Sequence, residues 1–140
     1  KYYNDFLFLN IAVLGCTFKP GTDDLREAPS LVNVPLFIED GAKVRVWDPV
    51  GVENFKKRIP EKIEYCGSIE EAIAGADLCL ILTEWDEVKN FEVKKFEKLM
   101  KCPIILDGRN CYRLEQFENT RITYDSIGRK TVNADLYTEK

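Results

Sequence analysis

The residues best placed to do chemistry in this chain of 140 lie in one loop, Gly15-Cys16-Thr17-Phe18-Lys19-Pro20-Gly21-Thr22-Asp23-Asp24-Leu25-Arg26-Glu27-Ala28-Pro29-Ser30. The apolar run Ile11-Ala12-Val13-Leu14 precedes it and a helical pattern follows. Strand, loop and helix in that order bind nucleotides at the carboxyl edge of a parallel sheet. The loop has no GxGxxG. It offers side chains, Lys19 and Arg26, where a dinucleotide site would offer bare backbone. Lys19 stands just beyond a strand end, and Arg26 adds a planar fork suited to phosphate. A further cation, Arg109, follows a second apolar run in Asp107-Gly108-Arg109-Asn110, where Gly108 allows a sharp turn. Each has a plainer reading: a solvated Lys, an Arg paired with Asp23 or Glu27, an incidental Arg in a turn. Cations at two strand ends of one sheet nevertheless point to an anionic ligand, a phosphate or diphosphate.

Other chemistries find less support. There are no histidines, so Ser/His and Cys/His catalysis and His-containing zinc sites are excluded. Five cysteines, an odd number without CxxC, read as reduced thiols in a cytoplasmic protein. Cys16 lacks a base to activate it. Asp48 ends an apolar strand, where a dinucleotide fold would place its ribose-binding acid; beside Pro49 and without the glycine-rich turn, it reads rather as a turn residue. Asp23, Asp24 and Glu27 lack a metal-loop spacing, and no metal is expected. Trp85 reads as packing under the next helix.

Elements that would position these residues alternate along the chain. Ile11–Leu14 reads as a strand and Ser30–Asp40 as a helix, with Leu31, Val34 and Ile38 on one face and Gly41 at its end. Pro35 predicts a kink or a late start in that helix. Lys43–Trp47 is a strand, Val52–Ile59 a weak helix and Ile63–Cys66 a short strand. Ser68 and Glu71 form a capping box ahead of Ile69, Ala72, Ile73 and Ala76. The fully apolar Leu78–Leu82 is a strand covered on both faces. Val93, Phe96 and Met100 mark a helix; Pro103–Leu106 and Arg121–Tyr124 are strands, and Ile127-Gly128 a turn. Pro20-Gly21 suits a type II turn, and Asp24 with Glu27 a second capping box. The tail from Lys130 reads as frayed. The expected architecture is α/β: a single-domain, Rossmann-like doubly wound parallel sheet with helices on both faces.

Length allows one domain, which at this size buries about 68–70% of its unfolded surface. With 45% hydrophobic and 31% charged residues the composition is that of a soluble globular protein, and the net charge of −4 argues against a nucleic-acid partner. No apolar stretch approaches the ~18 residues of a membrane span, and Lys1–Asn10 does not read as a signal peptide.

These motifs resemble a known family. Phe18 to Ser30 looks like the signature opening the UDP-binding domain of the UDP-glucose/GDP-mannose dehydrogenases. Gly41-Ala42, Trp47-Asp48-Pro49, Ala76-Asp77, Thr83-Glu84-Trp85, Asp107-Gly108-Arg109-Asn110 and Ser126-Ile127-Gly128-Arg129 match in order. The resemblance covers roughly residues 11 to 130, leaving 1–10 as a poorly matched extension and 131–140 as a tail. It implies an oxidoreductase of the UDP-glucose 6-dehydrogenase type, which oxidises a sugar C6 alcohol to the acid with two NAD. Phe18, Lys19 and Arg109 would contact the UDP-sugar, and Arg26 would reach NAD bound mainly by an N-terminal domain. Neither that domain nor the family's catalytic cysteine has a counterpart in this sequence, and Cys16 does not inherit that role. On this reading the chain alone is a binding domain, which a separate NAD-binding half would complete, and the full-length family would be oligomeric. The alternatives are a stand-alone nucleotide-binding or sensor module, a fragment of a UDP-N-acetylmannosamine or GDP-mannose dehydrogenase, and an NAD-binding domain using Asp48.

Overall fold

The computed structural model describes residues 8–17, 21, 29–59 and 62–137. In chain order the elements are β1 (Asn10–Leu14), α1 (Ser30–Glu39), β2 (Lys43–Trp47), α2 (Val52–Arg58), β3 (Glu64–Tyr65) and α3 (Ile69–Ile73). Then come β4 (Leu78–Ile81), α4 (Asp86–Lys89), α5 (Lys94–Leu99), β5 (Ile104–Asp107), a 3-10 turn (Leu114–Phe117) and β6 (Thr123–Ser126). All pairings between strands are parallel, in the order β3-β2-β1-β4-β5-β6. The doubly wound sheet predicted above is therefore observed, and its strand order reverses between β1 and β4. That reversal opens the crevice in which such sheets bind ligands.

The central strands are apolar throughout because both faces are covered. Ile11 and Val13 of β1 and Leu78 and Leu80 of β4 enter one core with Val34 and Phe55 of the helices α1 and α2. Ala12, Leu14, Cys79 and Ile81 point the other way, against Ile69, Ile73 and Phe96. Period-two alternation thus divides each strand between two cores. Burying each of these large side chains is worth about 1.5–3 kcal/mol.

Local details refine the expectations. The helix α1 starts at Ser30, so the late start predicted from Pro35 does not occur. The side chain of Leu31 lies outside the described residues. The α1 helix closes as expected on Gly41, with φ +93°. Ser68 Oγ accepts from the Glu71 amide at 3.1 Å, but the Glu71 carboxylate reaches the Gly67 amide rather than that of Ser68. Only half of the capping box forms, and α3 ends at Ile73, although Ala76 is still buried in the core.

The strand expected at Arg121–Tyr124 lies two residues later. Neither α4 nor the 3-10 turn was expected; both are too short for periodicity to register. The tail is docked rather than frayed through residue 137. Val132 and Tyr124 exchange backbone hydrogen bonds of 2.9 and 3.1 Å, and the Tyr137 hydroxyl donates to the Arg121 carbonyl at 2.8 Å.

Candidate functional site

The carboxyl ends of β1 and β4 meet closely. Gly15 has φ +92°, and a Cβ there would lie 2.4 Å from Thr83 Cβ. Thr83 Oγ donates to the Thr17 carbonyl at 2.6 Å, and Ser30 Oγ donates to the Cys16 carbonyl at 2.6 Å. These bonds tie the first turn of the long loop to β4 and to the start of α1. Gly21 has φ +80°, as the third position of a type II turn requires. Its partner Pro20 lies outside the described residues, as do Phe18, Lys19, Arg26 and the Asp24/Glu27 pair.

Asp48 is a structural hub. Its carboxylate accepts from the amides of Cys16 (2.8 Å), Val50 (3.0 Å) and Gly51 (2.7 Å), and from the Trp85 indole N–H (3.1 Å). It joins the loops after β1, β2 and β4 at the switch point. Both oxygens are engaged by protein donors, so the residue is the turn former that its Pro49 neighbour suggested. Trp85 is buried against the core, as its packing reading expected.

The described residues do not fit NAD as a resident cofactor. Thr83 crowds the glycine after β1, and the acid after β2 has no oxygen left for a ribose.

Cys16 is fully buried, and burial, reinforced by the Asp48 charge, holds its thiol far above the ordinary value. A protonated, inaccessible thiol is no nucleophile.

Arg109 is half-buried and anchored at two points. Its amide donates to Asp107 Oδ1 at 2.8 Å, and its Nε donates to the Leu82 carbonyl at 3.1 Å. The second bond swings the side chain from the end of β5 back over β4, toward the strand reversal. Gly108 continues the ladder by donating to the Ile81 carbonyl at 2.9 Å. Beside this turn lies an open groove of about 270 Å³, lined by Leu80, Leu82, Leu106, Gly108, Ser126 and Ile127 among others. Leucines and Ile127 line it together with Ser126 and the acids Asp107 and Asp125. At the same edge, Glu84 Oε1 is buried with no hydrogen-bond partner among the described residues.

The Asp107-Gly108-Arg109-Asn110 and Ser126-Ile127-Gly128-Arg129 motifs, each expected to turn the chain, interlock here. Asn110 and Ile127 bond reciprocally at 3.1 Å, side-chain amide to backbone. Arg129 donates to Ser126 Oγ (2.9 Å), the Tyr112 carbonyl (2.8 Å) and the Tyr124 hydroxyl (2.8 Å). The turn after β6 thus braces the turn that presents Arg109.

Among the described residues, no helix is long and apolar enough to cross a membrane.

Comparison with known proteins agrees with this geometry. The model of the UDP-glucose/GDP-mannose dehydrogenase family, UDP binding domain, matches residues 12–114. The chain is 44% identical over 122 residues to UDP-glucose 6-dehydrogenase YwqF of Bacillus subtilis, covering 87% of this chain and 28% of that protein. It is 40% identical over 130 residues to UDP-glucose 6-dehydrogenase TuaD of the same species, covering 93% of this chain and 28% of that protein. Among solved structures, NDP-N-acetyl-D-galactosaminuronic acid dehydrogenase of Methanosarcina mazei superposes with a TM-score of 0.76 at 28% identity, over 90% of this chain and 26% of that one. The chain therefore spans little more than a quarter of the length of these relatives. With that sheet, that carboxyl edge and these matches, the chain belongs to the UDP-glucose/GDP-mannose dehydrogenase family, of which it forms the UDP binding domain.

Proposed function

We propose that residues 11–130 hold the UDP of a UDP-sugar for an NAD-dependent UDP-glucose 6-dehydrogenase, which converts UDP-glucose to UDP-glucuronate. The observation that carries this reading is Arg109, drawn from the end of β5 back toward the strand reversal by its Nε bond to the Leu82 carbonyl. A guanidinium fixed there suits a diphosphate, which it meets with charge and with paired N–H donors. The aliphatic residues lining the neighbouring groove suit the flat face of a base or sugar ring. In this proposal Phe18 and Lys19 join Arg109 on the UDP-sugar. Arg26 reaches across to NAD, which is gripped by a different domain because the described residues here do not fit it. Glucose ranks first among sugars because YwqF and TuaD are UDP-glucose 6-dehydrogenases.

Thermal unfolding with UDP, UDP-glucose, UDP-glucuronate, GDP-mannose and NAD tests the proposal. A ligand at 100 times its dissociation constant stabilises the fold by about 2.7 kcal/mol. The uridine nucleotides are expected to raise the midpoint, and Lys19→Ala with Arg109→Ala to abolish the rise. A shift with NAD alone, or one unchanged in the double variant, would refute it.

A further inference from the structure

Asp107 is the last residue of β5, and it is 2% exposed. Its two carboxylate oxygens do different things. Oδ1 accepts the Arg109 amide; Oδ2 accepts the Cys111 amide at 2.7 Å and the Tyr124 hydroxyl at 2.6 Å. The orientation of the carboxylate, and with it the turn that carries Arg109, is therefore set from the far side by Tyr124. That tyrosine has no freedom to point elsewhere. It is fully buried, stacked on Phe117 with ring centroids 4.1 Å apart, and met edge-on by Tyr112 at 6.1 Å. Its hydroxyl has one proton to donate, and Asp107 receives it; the oxygen in turn accepts from Arg129 Nη2. The Arg129 guanidinium also lies 5.5 Å from the Tyr124 ring centre. Arg129 thus donates to Tyr124 and Tyr124 to Asp107, and the Arg109 amide donates to the same carboxylate from the other side. A largely buried hydrogen-bond network of this kind holds its members rigidly, and a binding group is only as well placed as the residues behind it.

We propose that Tyr124 and Arg129 are positioning residues for Arg109, acting through Asp107. This goes beyond the proposed UDP contact and rests on it only for the nature of the ligand. Loosening these bonds leaves the Arg109 side chain intact but lets its turn wander, so the cation no longer waits in place for the anion.

Two measurements on the full chain test this. The first needs no ligand: hydrogen exchange of the Arg109 Nε–H, followed by NMR. This proton is expected to exchange slowly in the parent because it is bonded to Leu82, and at least about tenfold faster in Tyr124→Phe, as loss of one charge-assisted bond implies. An unchanged rate would overturn the proposal. Arg129→Lys, which keeps the charge but not the fork and leaves the aromatic core alone, is expected to act in the same direction and covers the case of a misfolded Tyr124→Phe.

The second is UDP affinity in a double-mutant cycle. Tyr124→Phe is expected to weaken UDP by about tenfold in the parent and not at all in Arg109→Ala, because coupled residues are not additive. Equal losses in both backgrounds would mean a merely structural role. If the parent itself fails to bind UDP, the ligand reading falls, and the Nε–H exchange still decides the positioning.

Discussion

At the scale of single residues, close approach matters more than side-chain identity. Gly15 is pinned between a left-handed backbone and Thr83, whose Cβ lies 2.4 Å from where an added methyl would sit. Gly15→Ala combines a disfavoured φ with an overlap in a buried turn, so it is expected to cost roughly 2–4 kcal/mol in a denaturant titration. Gly67, with nothing within 4 Å of the same construction, supplies the contrast. Gly67→Ala is expected to stay within about 0.5 kcal/mol of the parent. A comparable loss at both positions would mean that crowding is not what the first glycine relieves. Asp48 shows the same economy: one carboxylate serving four donors holds three loops together, and none of its capacity is left for a ligand.

At the scale of elements, the segment after β6 gains much of its attachment from one side chain, beside the Val132–Tyr124 backbone pair and the Tyr137 hydroxyl. Asn133 adopts φ +54°, and its amide nitrogen lies within hydrogen-bond distance of the carbonyls of Phe117 (3.1 Å), Thr120 (3.0 Å) and Ile122 (2.8 Å). It ties the tail to the 3-10 turn and to the entry of β6. Asn133→Ala removes those bonds and places a methyl side chain in the left-handed region, where Asn is tolerated and Ala is not favoured. The expected loss is about 1–3 kcal/mol, confined to the tail. Amide exchange checks it directly: Val132 and Tyr124, which bond each other, should lose protection, while amides of β1 and β4 keep theirs. Uniform loss across the sheet would show that the tail is integral to global folding.

At the scale of the whole molecule, buried neutral thiols and phenols make stability fall in alkali. Burial, aided by the Asp107 and Glu84 charges, pushes the Cys111 thiol up from 9.0 to about 12. Cys16 and Cys79 are raised as well, both chiefly by burial. Tyr112 and Tyr124 are also raised, again with burial first among the causes. In each case the folded state holds its proton to higher pH than the unfolded chain. The stability is therefore fully present below the unfolded value and lost as pH rises toward the folded one. Denaturation midpoints are expected to be insensitive to these groups below pH 9 and to drop steadily between pH 9 and 12. Cys111→Ser should reduce the slope of that drop. A midpoint flat across this window would show that the thiols and phenols ionise alike in both states.

Sequence alone determined the strands, the alternation of helix between them and the carboxyl edge as the place for chemistry. Ile11–Leu14 and Leu78–Leu82 were legible because burial on two faces writes itself into consecutive residues, and Lys43–Trp47 because Val44 and Val46 alternate with Lys43 and Arg45. Arg109 was legible as a cation at a strand end for the same local reason. The positions of Phe18, Lys19 and Arg26 rest on the family motif and lie outside the described residues. Tertiary structure alone decided that Asp48 is a hub, that the tail docks, and that Tyr124 and Arg129 stand behind Arg109. Asp48 and the Cys16 amide are 32 residues apart, and Tyr124 and Asp107 are 17 apart. Periodicity reports which face a residue turns to the core, but not which distant partner it meets there. That pairing is created only when the strands lie side by side, with β6 against β5 and β1 between β2 and β4.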